Sequence, residues 1–132
     1  NEIDVLSIDV DGIDYWIFKY LKYRPRIIII EYNSIIDIAH GSATVPYKDI
    51  FENIGRAYYH GASLSALNKL GKEKSYSLVY IENTGVNAFY VRDDLLCLWN
   101  EYNISPMWKP NVGRMGGEKL IKDFTFFNVW LI

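Results

Sequence analysis

From Ile13 onward, apolar residues fall at Ile13, Trp16, Ile17, Tyr20 and Leu21, the i, i+3, i+4, i+7, i+8 spacing of one helix face. Asp14 near the start of this stripe and Lys19 and Lys22 near its end suit the helix dipole, and Pro25 stops it. Before it, residues 3–9 alternate weakly, end in Asp9 and predict a strand. After it, "RIIIIEYN" places four β-branched residues in a row. A strand without alternation is expected to be buried on both faces, as a central parallel strand is. Strand, helix and strand over about thirty residues make one right-handed βαβ unit, which points both strand ends to the same edge. Asp9 and Asp11 are therefore expected beside Glu31, Tyr32 and Asn33, at the edge where open α/β sheets bind ligands.

The pattern weakens over 34–62, where Gly41, Pro46, Gly55 and Gly61 interrupt mixed polar and apolar residues. A short helix is expected around 48–54, with the rest a loop lying over the same edge. Ser63 then caps a second helix that carries Leu64, Leu67 and Leu70 on one side. Two strands at 77–82 and 86–91 flank Glu82-Asn83-Thr84-Gly85, a tight turn that makes them antiparallel. Asn87 is then a polar group inside the last strand, expected to bridge strand ends. Beyond Asp93, "DDLLCLWNEYN" predicts a short helix, and 118–131 a final helix or strand. No repeat or low-complexity tract is present. The expected order is β-α-β-loop-α-β-β, an α/β fold in a single domain over 1–132 with its core at 3–96.

Composition narrows the functional classes. With 132 residues, 50% hydrophobic and 16% aromatic, the chain can build one core but not two ordinary domains. A net charge of -2 disfavours nucleic acid and anionic membranes as partners, and Lys69, Lys72 and Lys74 read as a solvated helix face. The single Cys97 excludes an internal disulfide and reads as packing. No run reaches the length of about eighteen apolar residues needed for a membrane span. The reading is a soluble, cytoplasmic protein. Its apolar closing run "FTFFNVWLI", with a strand starting almost at Asn1, suggests a segment of something longer that self-associates or needs a missing N-terminal partner segment.

Four stretches carry a resemblance: "LSIDVDGIDYWIFKYL", "RPRIIIIEYN", "HGASLSALNKLGKEKSYSLVYI" and "GVNAFYVRDDL". In this order they resemble the C-terminal half of FkbM-type S-adenosylmethionine-dependent methyltransferases, over residues 3–96. The resemblance implies a partial Rossmann-like methyltransferase sheet: a parallel βαβ unit, a helix, and an antiparallel terminal hairpin whose last strand inserts beside the fifth strand of the complete fold. It implies S-adenosylmethionine as cofactor and a hydroxyl-bearing small molecule or glycan as acceptor. The glycine-rich loop and the ribose-binding acid of such enzymes cannot be located in this sequence. "GRMGG" at 113–117 follows prolines rather than a strand.

On that resemblance Asp9 and Asp11 end the fourth strand at the methyl-transfer site, as catalytic and cofactor-side residues. His60 is a further candidate base or substrate contact, ahead of His40. Glu31, Tyr32 and Asn33 are candidate substrate-binding residues, and Tyr58 and Tyr59 candidate stacking aromatics. Asp9, Glu31 and Asn33 also resemble in kind the magnesium ligands of catechol-type methyltransferases; hard oxygen donors suit Mg²⁺, Mn²⁺ or Ca²⁺ and not zinc. A purely structural account is that Asp11 caps the helix and Asp9 accepts backbone hydrogen bonds in the turn. Two rivals stand beside the transferase. A non-catalytic methyltransferase-like assembly module needs no cofactor loop. A haloacid-dehalogenase-type phosphatase would use "DVDG" for its nucleophile and acid, with Asp93-Asp94 as its later acidic pair. Metal-binding "DxD" glycosyltransferases fit less well, since a nucleotide-binding half is missing.

Overall fold

A computed structural model describes residues 2–47, 59–98, 111 and 127–128. The elements in chain order are β1 (Val5–Ile8), α1 (Asp14–Tyr20), β2 (Ile27–Glu31), α2 (Ser34–His40), β3 (Ala43–Thr44), α3 (Leu64–Glu73), β4 (Tyr76–Ile81), β5 (Asn87–Arg92) and β6 (Phe127–Asn128), with a 3₁₀ turn at Asp93–Leu98 after β5. The main sheet has the order β1-β2-β5-β4, and β3 pairs with β6 in a separate ribbon. β1 runs parallel to β2 from Val5↔Ile27 to Ile8↔Ile30. β5 enters antiparallel between β2 and β4. The fold is therefore mixed α/β, with a parallel βαβ unit, a helix and an antiparallel hairpin.

One face of the sheet carries the core. Ile28, Ile30 and Tyr32 alternate toward α1 and α3 and are fully buried, with Phe18 and Leu67 packed over them. The opposite face is less covered: Ile27 and Ile29 are half-buried, and Val5 and Tyr80 are exposed. This corrects the expectation of a strand buried on both faces. The isoleucine run reflects the β preference of branched side chains on a half-covered surface. In β4 the pairing slips between Leu78 and Tyr80. The extra residue shifts the phase of the strand, so Ile81 returns to the core opposite Ala88.

Local chemistry sets the element ends. Ser63 Oγ accepts from Ala66 N at 3.1 Å and caps α3 as its position in the sequence implies. α1 ends at Tyr20, five residues before Pro25, where Lys74 Nζ donates to the Lys19 and Leu21 carbonyls. That lysine is a cap across helices and not part of a solvated face. α2 replaces the expected loop after β2: Asn33 Oδ1 accepts from Ile35 N at 3.1 Å and starts it. The proposed helix at 48–54 lies outside the described residues, as do 113–117 and most of 118–131. The hairpin turn is as expected, with Gly85 at φ 71° and Asn87 N and Nδ2 both donating to Glu82 Oε1. Among the described residues no helix is long and apolar enough to cross a membrane.

Gly71 packs the helix onto the sheet. A Cβ there would lie 3.0 Å from the ring of Tyr90, which is fully buried. Gly71→Ala normally favours a helix by about 1 kcal/mol; here the clash outweighs it. The variant is expected to lose about 1–3 kcal/mol in urea denaturation.

Candidate functional site

The parallel register of β1 and β2 brings the residues after Ile8 and the end of β2 to one edge of the sheet. A third segment joins them. Residues 59–63 cross this edge, held by Gly61 N donating to Gly12 O at 2.9 Å, Asn33 N to Ala62 O at 2.8 Å and Asn33 Nδ2 to His60 O at 3.1 Å. Gly61 sits at φ +66°, a left-handed conformation that lets the segment turn between the two strand ends. The result is a cluster of Asp11, Glu31 and His60, one donor atom from each lying within 4.8 Å of the others. Glu31 and His60 approach to 4.0 Å (Oε2 to Nδ1), with side chains 5% and 15% exposed. Asp11 is exposed and adopts φ 53°, a left-handed conformation that Asp tolerates better than most residues.

The other candidates sort by position. Asp9 is exposed, directly after β1, and it is Asp11, not Asp9, whose carboxylate converges with Glu31 and His60. The Asn33 amide is engaged at both ends, capping α2 through Oδ1 and holding the His60 carbonyl through Nδ2. Tyr32 shares the phase of Ile28 and Ile30, so its ring lies in the core at 0% exposure and not on the rim. Tyr59 is buried as well, and Tyr58 lies outside the described residues. His40 closes α2. Cys97 is exposed, contrary to a packing role.

The structural account of the two turn aspartates is also corrected. No side chain caps α1; Asp14 turns back instead, its Oδ1 accepting from Val10 N at 3.0 Å and Oδ2 from Gly12 N at 3.1 Å. Asp14 is fully buried, and burial pushes its carboxyl above the ordinary range, with the nearby Glu31 charge adding to the shift. The backbone bonds from Val10 and Gly12 oppose that rise. Asp14 thus builds the turn that carries Asp11. The sequence places it only as a helix-dipole residue. Asp37 is the second residue that sequence reasoning misses. It accepts from Leu64 N at 2.8 Å and from Ser65 Oγ at 2.7 Å, so α2 caps the start of α3. A partner 27 positions away leaves no local signal.

The opposite edge of the sheet has a different character. Arg92, closing β5, makes a two-pronged contact with Asp94 and pairs with Glu2 at 2.8 Å, while Arg26 reaches Glu2 and Asp4. Arg92 and Arg26 hold the Glu2 carboxyl below its usual range, and Arg92 does the same to Asp94. β5 runs antiparallel to β2, so Asp93 and Asp94 stand at the far end of the sheet from Asp9 and Asp11. No family model matches the chain, and neither a curated protein nor a solved structure matches it.

Three variants test the carboxylate placement. Asp14→Ala leaves two backbone N–H groups without their acceptor and is expected to cost about 2–4 kcal/mol in chemical denaturation. The raised Asp14 pKa means its stabilising share is complete below the ordinary Asp value and declines as pH rises through the raised value. Asp14→Asn, neutral throughout, should remove the part of the stability profile that declines with rising pH above the ordinary Asp value. For Glu2 and Asp94 the sign is opposite: their contribution is present at neutral pH and is lost as pH falls through their depressed values. Arg92→Met should therefore flatten the acid limb of a thermal-stability profile.

Proposed function

We propose that the chain is the C-terminal half of a Rossmann-like methyltransferase sheet and serves S-adenosylmethionine-dependent O-methylation of a hydroxyl, as on a sugar or other small molecule. The observation that carries this reading is the strand order β1-β2-β5-β4, with the last strand entering antiparallel beside the second of two parallel strands. That insertion is what the resemblance to FkbM-type enzymes implies. The acidic rim supports it further, because a transferred methyl group needs an acceptor oxygen that can lose its proton. Asp11, Glu31 and His60 offer two carboxylates and an imidazole at the edge where open α/β sheets bind ligands.

The residues present do not fit tight cofactor binding by this chain alone. No strand in the described residues is followed by a glycine-rich turn; β1 leads into Asp9-Val10-Asp11-Gly12. The chain's own contribution is confined to the rim: orienting an acceptor hydroxyl and taking its proton. A non-catalytic assembly module is the second reading, favoured by that same lack of a cofactor loop. The phosphatase reading is disfavoured, because Asp93 and Asp94 stand at the edge opposite Asp9 and are engaged with Ser77 and Arg92.

Isothermal titration of the full-length protein with S-adenosylmethionine tests the proposal. Saturable binding is expected, and Glu31→Gln should lower methyl transfer to a hydroxyl acceptor by about 10²-fold with cofactor affinity unchanged. Absence of binding by the full-length protein would leave the assembly module in its place.

A further inference from the structure

We propose that Asp11, Glu31 and His60 form a divalent-cation site that prefers Mn²⁺ to Mg²⁺. The inference stands on geometry and does not depend on methyl transfer. Three donor atoms from three separate segments (the turn after β1, the last residue of β2 and the crossing before α3) lie within 4.8 Å of one another. Their backbones are tied together: Gly61 N bonds Gly12 O, and the Asn33 amide bonds the His60 carbonyl. The cluster is a constructed convergence, unlike acids that happen to neighbour one another along a solvated helix.

Spacing fits an ion. An octahedral cation with bonds of about 2.1 Å holds neighbouring donors about 3.0 Å apart and opposite donors about 4.2 Å apart. His60 Nδ1 and Glu31 Oε2, at 4.0 Å, stand close to the opposite-donor distance, with the Asp11 donor within 4.8 Å of both. Burial adds to the case. Glu31 is 5% exposed and His60 15%, so a cation there would face carboxylate charge in a weakly screened setting, while exposed Asp11 leaves an open side. Three protein donors leave further positions for water or a hydroxyl-bearing ligand.

The donor set selects the metal. Carboxylates alone would suit Mg²⁺ or Ca²⁺, whereas an imidazole shifts preference toward ions that accept nitrogen. One imidazole with two carboxylates points to Mn²⁺ among the hard cations. A cation held there would lower the pKa of a hydroxyl bound to it. The binding experiment reads the cation site itself, whichever group takes the proton of a bound hydroxyl.

Loss of the free-ion paramagnetic resonance signal on adding the chain to Mn²⁺ alone provides the measurement, with Mg²⁺ as competitor. One Mn²⁺ per chain is expected, with Mg²⁺ at least about tenfold weaker. Asp11→Asn and His60→Ala should each weaken Mn²⁺ binding about tenfold or more, while His40→Ala leaves it unchanged. Asp11 is exposed, so its variant tests the site even if a buried substitution fails to fold. No Mn²⁺ withdrawn from solution, His60→Ala binding as wild type, or an equal loss in His40→Ala would each overturn the proposal. None of these outcomes involves S-adenosylmethionine, so the methyltransferase reading is tested separately.

Discussion

Parallel pairing of β1 with β2 decides where the chain's acidic tips lie. The register Val5↔Ile27 to Ile8↔Ile30 ends both strands at one edge, and a slip of one residue would move every side chain of β1 to the other face. Such a slip would separate the turn that holds Asp11 from Glu31. The helix α1 between the strands depends on the same constraint, since Asp14 anchors the turn while Tyr15, Trp16 and Phe18 are buried. Trp16 also donates from Nε1 to Val45 O at 2.9 Å, tying the segment after β3 to this helix.

The two edges of the sheet treat charge in opposite ways. At the amino-terminal edge of β1 and β2, Glu2, Asp4 and Asp94 each pair with Arg26 or Arg92 in exposed ion pairs. Pairs of this kind contribute modestly and weaken with salt. At the carboxyl edge the acids Glu31 and Asp14 are buried and are satisfied by different means, Asp14 by backbone amides and Glu31 in the company of His60. Burying carboxylates costs free energy that exposed pairing does not. Asp14 offsets that cost by holding the turn after β1, and the convergence of Glu31 with Asp11 and His60 supports the proposed function.

Much of the frame was legible in the sequence because it rests on local signals. The helix α1, the Ser63 cap and the glycine turn at Gly85 each act within a few residues of their cause, although α1 buries Tyr15 and Phe18 while Tyr20, on the expected stripe, is exposed. The common rim for Asp11 and Glu31 followed from the direction of parallel strands. What escaped was tertiary. Asp37 capping α3, and Lys74 capping α1 from the end of α3, leave no mark in any local window. α2 has its Asn33 signal, but "SIIDIAH" is short and β-branched, so period and propensity pointed away from a helix. Asn33 and Tyr32, expected on the rim with Glu31, instead support it from below: one through its amide, the other within the core.

The slipped pairing in β4 has an outward consequence. β4 is the terminal strand of the main sheet, and over one span it carries Val79 as a residue more than β5 does. Its outer margin, beside which the described residues place no further strand of the main sheet, therefore changes rhythm midway. A straight incoming strand could match one half of that margin but not both, which discourages stacking of one molecule's sheet onto another's.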